Sequence, residues 1–497
     1  MRLALRWLGF LVPVVVLCLY LLRSGGPRLP DATAGHGLGA AFLPPAVPTG
    51  TKPAGSAPSN SRSQSHDQIS AFWQTWSQRI LDARPDTHPI ALTGTASIGR
   101  PPRPDAPRRP YTDYVRNPSG QVEELRLAHK KFVAALETLK NGDHEGPFQG
   151  RGVVMVGGGE YFGPAIIGIH MLRRTGCSLP VELFVPDDDE YEEEICEQYL
   201  PKLNAKCVVL SAFQRQGGKH ARPLSIKHYQ LKAPSLLLSS FAEVLLLDSD
   251  SIPLLDPETS IFSTEPYLSK GLVIWPDFWS ATESPRFWEI AGLPEYPTDL
   301  PSHSSESGQL VVNKKTHLAP LLLATYYNIY GDHHYYPLLS QGALGQGDKE
   351  TFLAAAVALG SPYYTVKTGA SSLGRHDGSQ HKGTAIIQHL PVDDLRKSTG
   401  GSDLVRPAFL HSNTPKMNAG HLVDEGDLIA TDGQSRLRLL GPKADLEKLF
   451  GFDAEDTLWD LLVQTGCELA STIREWKTRD RLCERLTEHH ALVFNDR

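Results

Sequence analysis

Two carboxylates one residue apart, Asp248 and Asp250, close the short run Glu243-Val244-Leu245-Leu246-Leu247. Val and Leu in such a run read as a buried strand, and alternation at its end can leave both carboxylates on one side, in a cleft beyond the sheet. Hard divalent cations such as Mg²⁺ and Mn²⁺ prefer carboxylate and phosphate oxygens, so the pair suits a metal-bound diphosphate, which is a leaving group. The same Asp-Ser-Asp, followed by Ser251 and Pro253, would also serve as a polar turn, and its surroundings must separate the two readings.

Other reactive groups stand at the ends of predicted elements. Gly157-Gly158-Gly159 follows the strand-like Arg151 to Val156 and offers backbone that can approach a ligand closely. It is not a dinucleotide fingerprint, because Phe162 stands where the third glycine would fall. Asp277, between Pro276 and Phe278-Trp279, sets a carboxylate beside rings that suit either sugar faces or a core. Glu306 and Gln309 precede a strand at Leu310 to Asn313, and Asp348 opens a helix at Thr351 to Leu359, where it would act chemically or as an N-cap. His411 follows Phe409-Leu410, as a structural imidazole or as one that completes a metal site. No phosphate loop, His-Glu-x-x-His or Gly-x-Ser-x-Gly elbow occurs.

The elements that must position these groups alternate in type. Apolar strands at 151–156, 181–185, 207–210 and 244–247 are separated by helices at 166–174, 190–203 and 228–240, the pattern of an α/β fold with a mostly parallel twisted sheet flanked by helices. Ligands of such sheets bind beyond the strand carboxyl ends, where both the glycines and the aspartates fall. A helix running into a strand and then a metal turn points to nucleotide-sugar chemistry. We expect a catalytic domain at 150–420, a helical lead-in at 111–149 and a helical carboxyl-terminal extension at 421–497, with Trp459 and Trp476 as packing anchors.

With 497 residues, 40% apolar and 21% charged, the chain can bury a large core and carry appended segments. Its net charge of −7 and lack of a basic aromatic platform argue against nucleic acid as a partner. Residues 1–6 read as a cytoplasmic tail and 7–23 as a transmembrane signal-anchor, since Leu3 to Leu22 reaches the roughly 20 residues of a span if Arg6 snorkels. A cleaved signal peptide competes, but the small-x-small Ala32-Thr33-Ala34 lies far beyond the apolar stretch. Residues 24–110 are rich in Pro, Gly and Ser and read as a luminal stem, interrupted near 68–83 by Trp73, Trp76 and Ile80 at helical spacing, a short amphipathic helix that would pack onto the globular core or mediate self-association. Outside Cys18, five cysteines remain (Cys177, Cys196, Cys207, Cys467 and Cys483), which permit two disulfides and one thiol, or buried thiols throughout.

Seven blocks carry a resemblance: Tyr229-Gln230-Leu231-Lys232-Ala233, Ser239-Ser240-Phe241, Leu245 to Asp250, Trp275-Pro276-Asp277, Glu306 to Lys314, Gly347 to Phe352 and Phe409-Leu410-His411. In this order the chain resembles the fungal Golgi α-mannosyltransferases, single-pass type II membrane enzymes of the GT-A fold with a luminal catalytic domain. The resemblance implies an α-1,2-mannosyltransferase that carries mannose from GDP-mannose to mannan or glycoprotein glycans with retention. It implies Mn²⁺ held by Asp248, Asp250 and His411, and a donor bound by Gly157, Gly158, Gly159, Lys232, Asp248, Asp250 and Asp277, the last suited to donor or acceptor hydroxyls. Glu306, Gln309 and Asp348 are unranked candidates for the group facing the anomeric carbon. A complex with other Golgi mannosyltransferases stays open. So do an α-1,3 or α-1,6 linkage, another nucleotide sugar, and a catalytically silent Golgi scaffold that binds glycan, because a fold and a metal motif do not fix the sugar.

Overall fold

The computed structural model describes residues 59–99, 106–116, 118–139, 146–215, 224, 226–377 and 380–494. The expected tail and signal-anchor lie outside the described residues, and among the described residues no helix is long and apolar enough to cross a membrane. A compact unit runs from Ile69 to Arg497.

Its strands are β1 (Arg151–Val156), β2 (Val181–Val185), β3 (Ala205–Val209), β4 (Glu243–Leu247), β5 (Ser251–Pro253), β6 (Leu272–Ser280), β7 (His303–Asn313), β8 (Tyr364–Thr365), β9 (Ser371–Asp377), β10 (Gln380–His389) and β11 (Pro407–His411). A seven-stranded sheet has the order β3-β2-β1-β4-β7-β6-β8, and a four-stranded sheet the order β5-β11-β10-β9. In the larger sheet β1 pairs in parallel with β2 and β4, β2 with β3, and β6 with β8, whereas β7 runs antiparallel to β4 and β6. The smaller sheet is antiparallel throughout.

Near-continuous apolar strands require cover on both faces. Val244 and Leu246 of β4 join one core cluster while Leu245 and Leu247 join another, so successive side chains feed opposite layers. Helices α1 (Ser59–Asp82) and α2 (Pro118–Leu136) contribute Trp73, Trp76, Leu125 and Phe132 to the first layer. The second layer holds α3 (Phe162–Arg174), followed along the chain by α4 (Lys232–Leu238), α5 (Lys314–Ile329) and α6 (Thr351–Ala358), which return to the first. The carboxyl-terminal helices α7 (Lys443–Phe450), α8 (Ala454–Leu469) and α9 (Leu482–Val493) pack Leu446, Trp459 and Leu486 into the second layer. Burying each large apolar side chain contributes about 1.5–3 kcal/mol.

Local structure departs from the sequence pattern at identifiable places. The helix expected over 190–203 is a π-helical turn, Glu194–Tyr199, and a 3₁₀ turn, Leu200–Leu203, because Pro201 interrupts the hydrogen-bond ladder. The helix expected from 228 begins as a 3₁₀ turn, His228–Leu231, with Pro234 inside the first turn of α4. The helix near 68–83 packs into the core, and the described residues of the expected stem beyond it, 84–99 and 106–110, belong to the compact unit as well. Trp73, Trp76 and Ile80 are buried, and the buried Arg108 lies 3.2 Å from Glu283 and donates to the His303 carbonyl at 2.7 Å. Among the described residues two disulfides form, Cys196–Cys207 and Cys467–Cys483, and Cys177 is a buried free thiol.

Glu455, in the first turn of α8, makes stability depend on pH. Its carboxylate accepts from the Leu440 amide at 2.9 Å and from the Leu439 amide, and burial pushes its pKa from 4.5 up to about 7 despite Arg438. A raised folded-state pKa means that this contribution is complete below about pH 4.5 and is lost as pH rises through about 7. The loss is about 3 kcal/mol. Urea denaturation between pH 5 and 8 should therefore show a falling stability whose slope is reduced in Glu455→Gln; an unchanged slope in that variant would contradict the assignment.

Candidate active site

The step Asp248-Ser249-Asp250 joins the two sheets. β4 ends in the large sheet with Leu247 opposite Gln309 of β7, and β5 begins in the small sheet with Ser251 opposite His411 of β11. The Asp248 amide donates to the Gly308 carbonyl at 2.8 Å, and the Ser412 amide donates to the Asp250 carbonyl at 3.0 Å, so the backbone is fixed from both sheets. Between β6 and β7 the register jumps from Ile274 opposite Leu310 to Trp275 opposite Glu306. The bulge frees Ser307, Gly308 and Gln309 from β6, a device that re-aims side chains beside active sites.

These elements assemble one polar network. His411 Nε2 lies 3.1 Å from Asp250 Oδ1, and its Nδ1 lies 2.9 Å from Glu306 Oε1. Glu306 Oε1 also accepts from the Gly308 amide at 2.7 Å, and its Oε2 accepts from the side chains of Gln309 and Gln388. Lys232 Nζ donates to Asp248 Oδ2 at 2.8 Å and to Ser307 Oγ at 3.1 Å, and lies 3.7 Å from Asp348 Oδ2. Lys416 pairs with Asp250 Oδ2 and sits 5.8 Å over the Tyr161 ring. A Cβ at position 308 would fall 2.4 Å from Glu306 Oε1 and 2.5 Å from His411 Nδ1, so only glycine lets this carboxylate reach the imidazole.

Burial opposes every charge in this group, and the partners decide the outcome. Burial would lower the His411 pKa, but Asp250 and Glu306 on either side hold it well above the ordinary imidazole value. Burial would raise Asp250, yet Lys416 and His411 keep it below the usual carboxylate range. Asp248 is pushed up, by burial first and then by the charge of Asp250, against the pull of Lys232. Lys232 is raised because Asp248 and Asp348 outweigh its burial. Ligand atoms of Asp248, Asp250 and His411 lie within 4.8 Å of one another, and two carboxylate oxygens with one imidazole nitrogen fit a divalent cation such as Mn²⁺. Cation binding would require His411 to release its Nε2 proton.

Of the residues singled out in the sequence, Lys232, Asp248, Asp250, Glu306, Gln309, Asp348 and His411 come together here. Glu306 and Gln309 lie inside β7 rather than ahead of it. Asp348 is not the cap of α6: Glu350 takes that position, and the Asp348 backbone carbonyl accepts from Thr351. Gly157, Gly158 and Gly159 turn the chain from β1 toward α3, with positive φ at Gly158 and Gly159. Asp277 pairs with Lys349 at 2.7 Å. Sequence reasoning missed Lys416, Lys349 and Gln388. Lys416, five residues after His411, had a signal in its closeness to a metal-ligand candidate; Gln388 had none.

A family model described as "Mannosyltransferase putative" matches residues 150–299 and 293–390. The chain is 35% identical over 439 residues to the α-1,2-mannosyltransferase MNN21 of Candida albicans, covering 74% of this chain and 65% of that protein. It is 39% identical over 307 residues to the α-1,2-mannosyltransferase MNN2 of Saccharomyces cerevisiae, covering 55% and 51%. To the α-1,2-mannosyltransferase MNN2 of Candida albicans it is 31% identical over 410 residues, covering 71% and 67%. The chain thus spans half to two thirds of the length of these curated relatives.

Gly308→Ala should force Glu306 away from His411 and lower Mn²⁺ affinity by about 10–100-fold, the usual cost of losing an outer partner of a ligating histidine. Calorimetric titration with Mn²⁺ reads this directly, and an affinity equal to the parent's would mean that Glu306 does not orient the imidazole.

Proposed function

The chain belongs to the mannosyltransferase family that includes these fungal α-1,2-mannosyltransferases, and from that premise we propose that it transfers mannose from GDP-mannose to a mannose residue of a mannan or glycoprotein glycan, forming an α-1,2 bond with retention. The observation that carries the proposal is the group Asp248, Asp250 and His411 at the sheet junction, flanked by Lys232 and Lys416. The larger sheet, with its parallel β3-β2-β1-β4 half and acidic step after β4, supports a GT-A type of domain.

Asp248, Asp250 and His411 would hold Mn²⁺, which when bound supplies Lewis-acid neutralisation of the departing diphosphate. Lys232 and Lys416 add fixed positive charge where that negative charge develops, which costs no reorganisation during transfer. Glu306, its oxygens taken up by Gly308, Gln309, Gln388 and His411, keeps the His411 Nδ1 side engaged and orients Nε2 toward the cation. Gln309 is fully buried and supports Glu306. Asp348 differs from both: its buried Oδ2 has no hydrogen-bond partner and lies 3.7 Å from Lys232. Among the three candidates it is the carboxylate with an oxygen outside any hydrogen bond, and we assign it the steadying of positive charge at the anomeric carbon. The backbone of Gly157, Gly158 and Gly159 is the proposed nucleotide contact, since glycine lets a ligand lie against the main chain. The apolar stretch Trp7 to Leu22 behind the basic Arg2 and Arg6 supports a type II orientation, proposed to be in the Golgi membrane with the catalytic unit in the lumen.

A thermal melt of the full chain separates the donors. GDP with Mn²⁺, at about one hundred times its dissociation constant, should add about 2.7 kcal/mol of stability, and UDP with Mn²⁺ should add none. Asp248→Ala should abolish both the GDP shift and mannose transfer while keeping the parent's circular dichroism. A UDP-specific shift would move the donor to a uridine sugar, and no shift with either nucleotide would favour a silent glycan-binding scaffold.

A further inference from the structure

Three residues before Lys232, which pairs with Asp248, an aromatic ring is held outward by a turn that is itself firmly anchored. Tyr229 is 56% exposed, while its neighbour Gln230 is buried and donates to the carbonyls of Asn328 at 2.9 Å and Ile329 at 3.2 Å. His228 adopts a φ of 47°, a left-handed conformation that a non-glycine residue keeps only where its surroundings impose it, and such strain gathers at functional sites. Four residues after His228, Lys232 contacts Asp248. The ring of Tyr229 rests on Gly347, where a Cβ would lie 3.0 Å from its Cγ and 3.1 Å from its Cδ2. Its packed part is therefore covered by bare backbone, and the rest is open to solvent.

The loop that carries Gly347 also supplies two charged groups. Asp348 lies 3.7 Å from Lys232 Nζ, and Lys349 Nζ donates to Asp277 Oδ2 at 2.7 Å. The second oxygen of Asp277 accepts from the Phe278 amide at 2.6 Å, so this carboxylate is fixed on both sides. The Lys349 and Asp277 side chains are mostly buried yet reach the surface, at 11% and 12% exposure. Neither belongs to the group of Asp248, Asp250, His411 and Lys416. Lys232 joins the two halves, with Asp248 on one side and Asp348 of this loop on the other.

A pyranose presents an apolar C–H face and a rim of vicinal hydroxyls. An exposed, rigid tyrosine offers amphipathic area for the face at small entropic cost, and an ammonium–carboxylate pair offers a donor and an acceptor for adjacent hydroxyls. We propose that Tyr229, seated on Gly347, is the stacking platform for the terminal mannose of the acceptor, and that the Lys349–Asp277 pair holds its hydroxyls. The identity of the sugar rests on the mannosyltransferase reading; the position of the subsite rests on the loop. Asp277 thereby falls on the acceptor side of the site.

Binding is best read without turnover, by NMR titration of the full chain with methyl α-mannopyranoside in the presence of GDP and Mn²⁺. Tyr229→Ala should weaken mannoside binding about tenfold or more, and Tyr229→Phe, which keeps the ring, should restore it to within about twofold of the parent. Asp277→Asn should weaken it as well, and all three variants should bind GDP with Mn²⁺ as the parent does. Equal mannoside binding by the parent and Tyr229→Ala, no mannoside binding by the parent, or a phenylalanine variant no better than alanine would overturn the inference. Mannose transfer from GDP-mannose is measured separately. Its absence in a parent chain whose mannoside binding still depends on Tyr229 would count against the transferase reading and leave the subsite standing.

Discussion

Two strand registers converge on one step of the chain, and the rest of the site depends on their agreement. Leu247 opposite Gln309 fixes where β4 ends, and Ser251 opposite His411 fixes where β5 begins. Only Asp248, Ser249 and Asp250 lie between them. A slip of one residue in either pairing would turn alternate side chains to the other face and separate His411 from Asp250. The large apolar layers on both faces of β4 protect against such a slip, because any shift would carry Val244 to Leu247 out of their core positions. Helices far from the chemistry, from Trp73 of α1 to Trp459 of α8, therefore serve the site by holding register.

The same junction concentrates buried charge. Asp248, Asp250, Glu306 and Asp348 are countered by Lys232, Lys416 and His411, and each pairing must offset the desolvation of its members. Such an arrangement is a poor source of stability and a good source of exchangeable charge. Lys416 and His411 hold Asp250 below the usual carboxylate range, so a divalent cation bound there would meet a carboxylate that needs no deprotonation, with the Lys416 ammonium beside it.

Much of this was legible in the residues. Val181 to Val185 and Val244 to Leu247 are strands because their apolar runs have no other stable place, and Asp248 and Asp250 follow from the end of such a run. Seven of the residues singled out in advance meet at the junction. What failed has physical causes. Glu306 to Gln309 has no strand signature, since Glu, Ser, Gly and Gln are polar; they are buried in β7 because partners distant in sequence, His411 and Gln388, satisfy them. Of the two readings of Asp348, a chemical group or a helix cap, the cap is the one that fails, because sequence shows adjacency and not the Lys232 ammonium across the fold. The helix near 68–83 packs Trp73 and Trp76 into the core, as its spacing allows, but the composition of 84–110 reads as a stem, and Ile90 and Arg108 are buried there because partners distant in sequence, such as Glu283, hold them. Tyr229 stands in one of the blocks that carry the resemblance but has no role legible there, since its packing lies on the bare backbone of Gly347, more than a hundred residues away.

The proposed reaction at this junction moves mannose from GDP-mannose to the 2-hydroxyl of another mannose with the help of a divalent cation. Incubating the full chain with GDP-mannose, Mn²⁺ and a short α-mannoside, and reading the product linkage by NMR, tests it most directly. The account predicts an α-1,2-linked product that disappears when the cation is chelated and returns when Mn²⁺ is restored. A product of another linkage, or transfer that persists in the chelator, would contradict it.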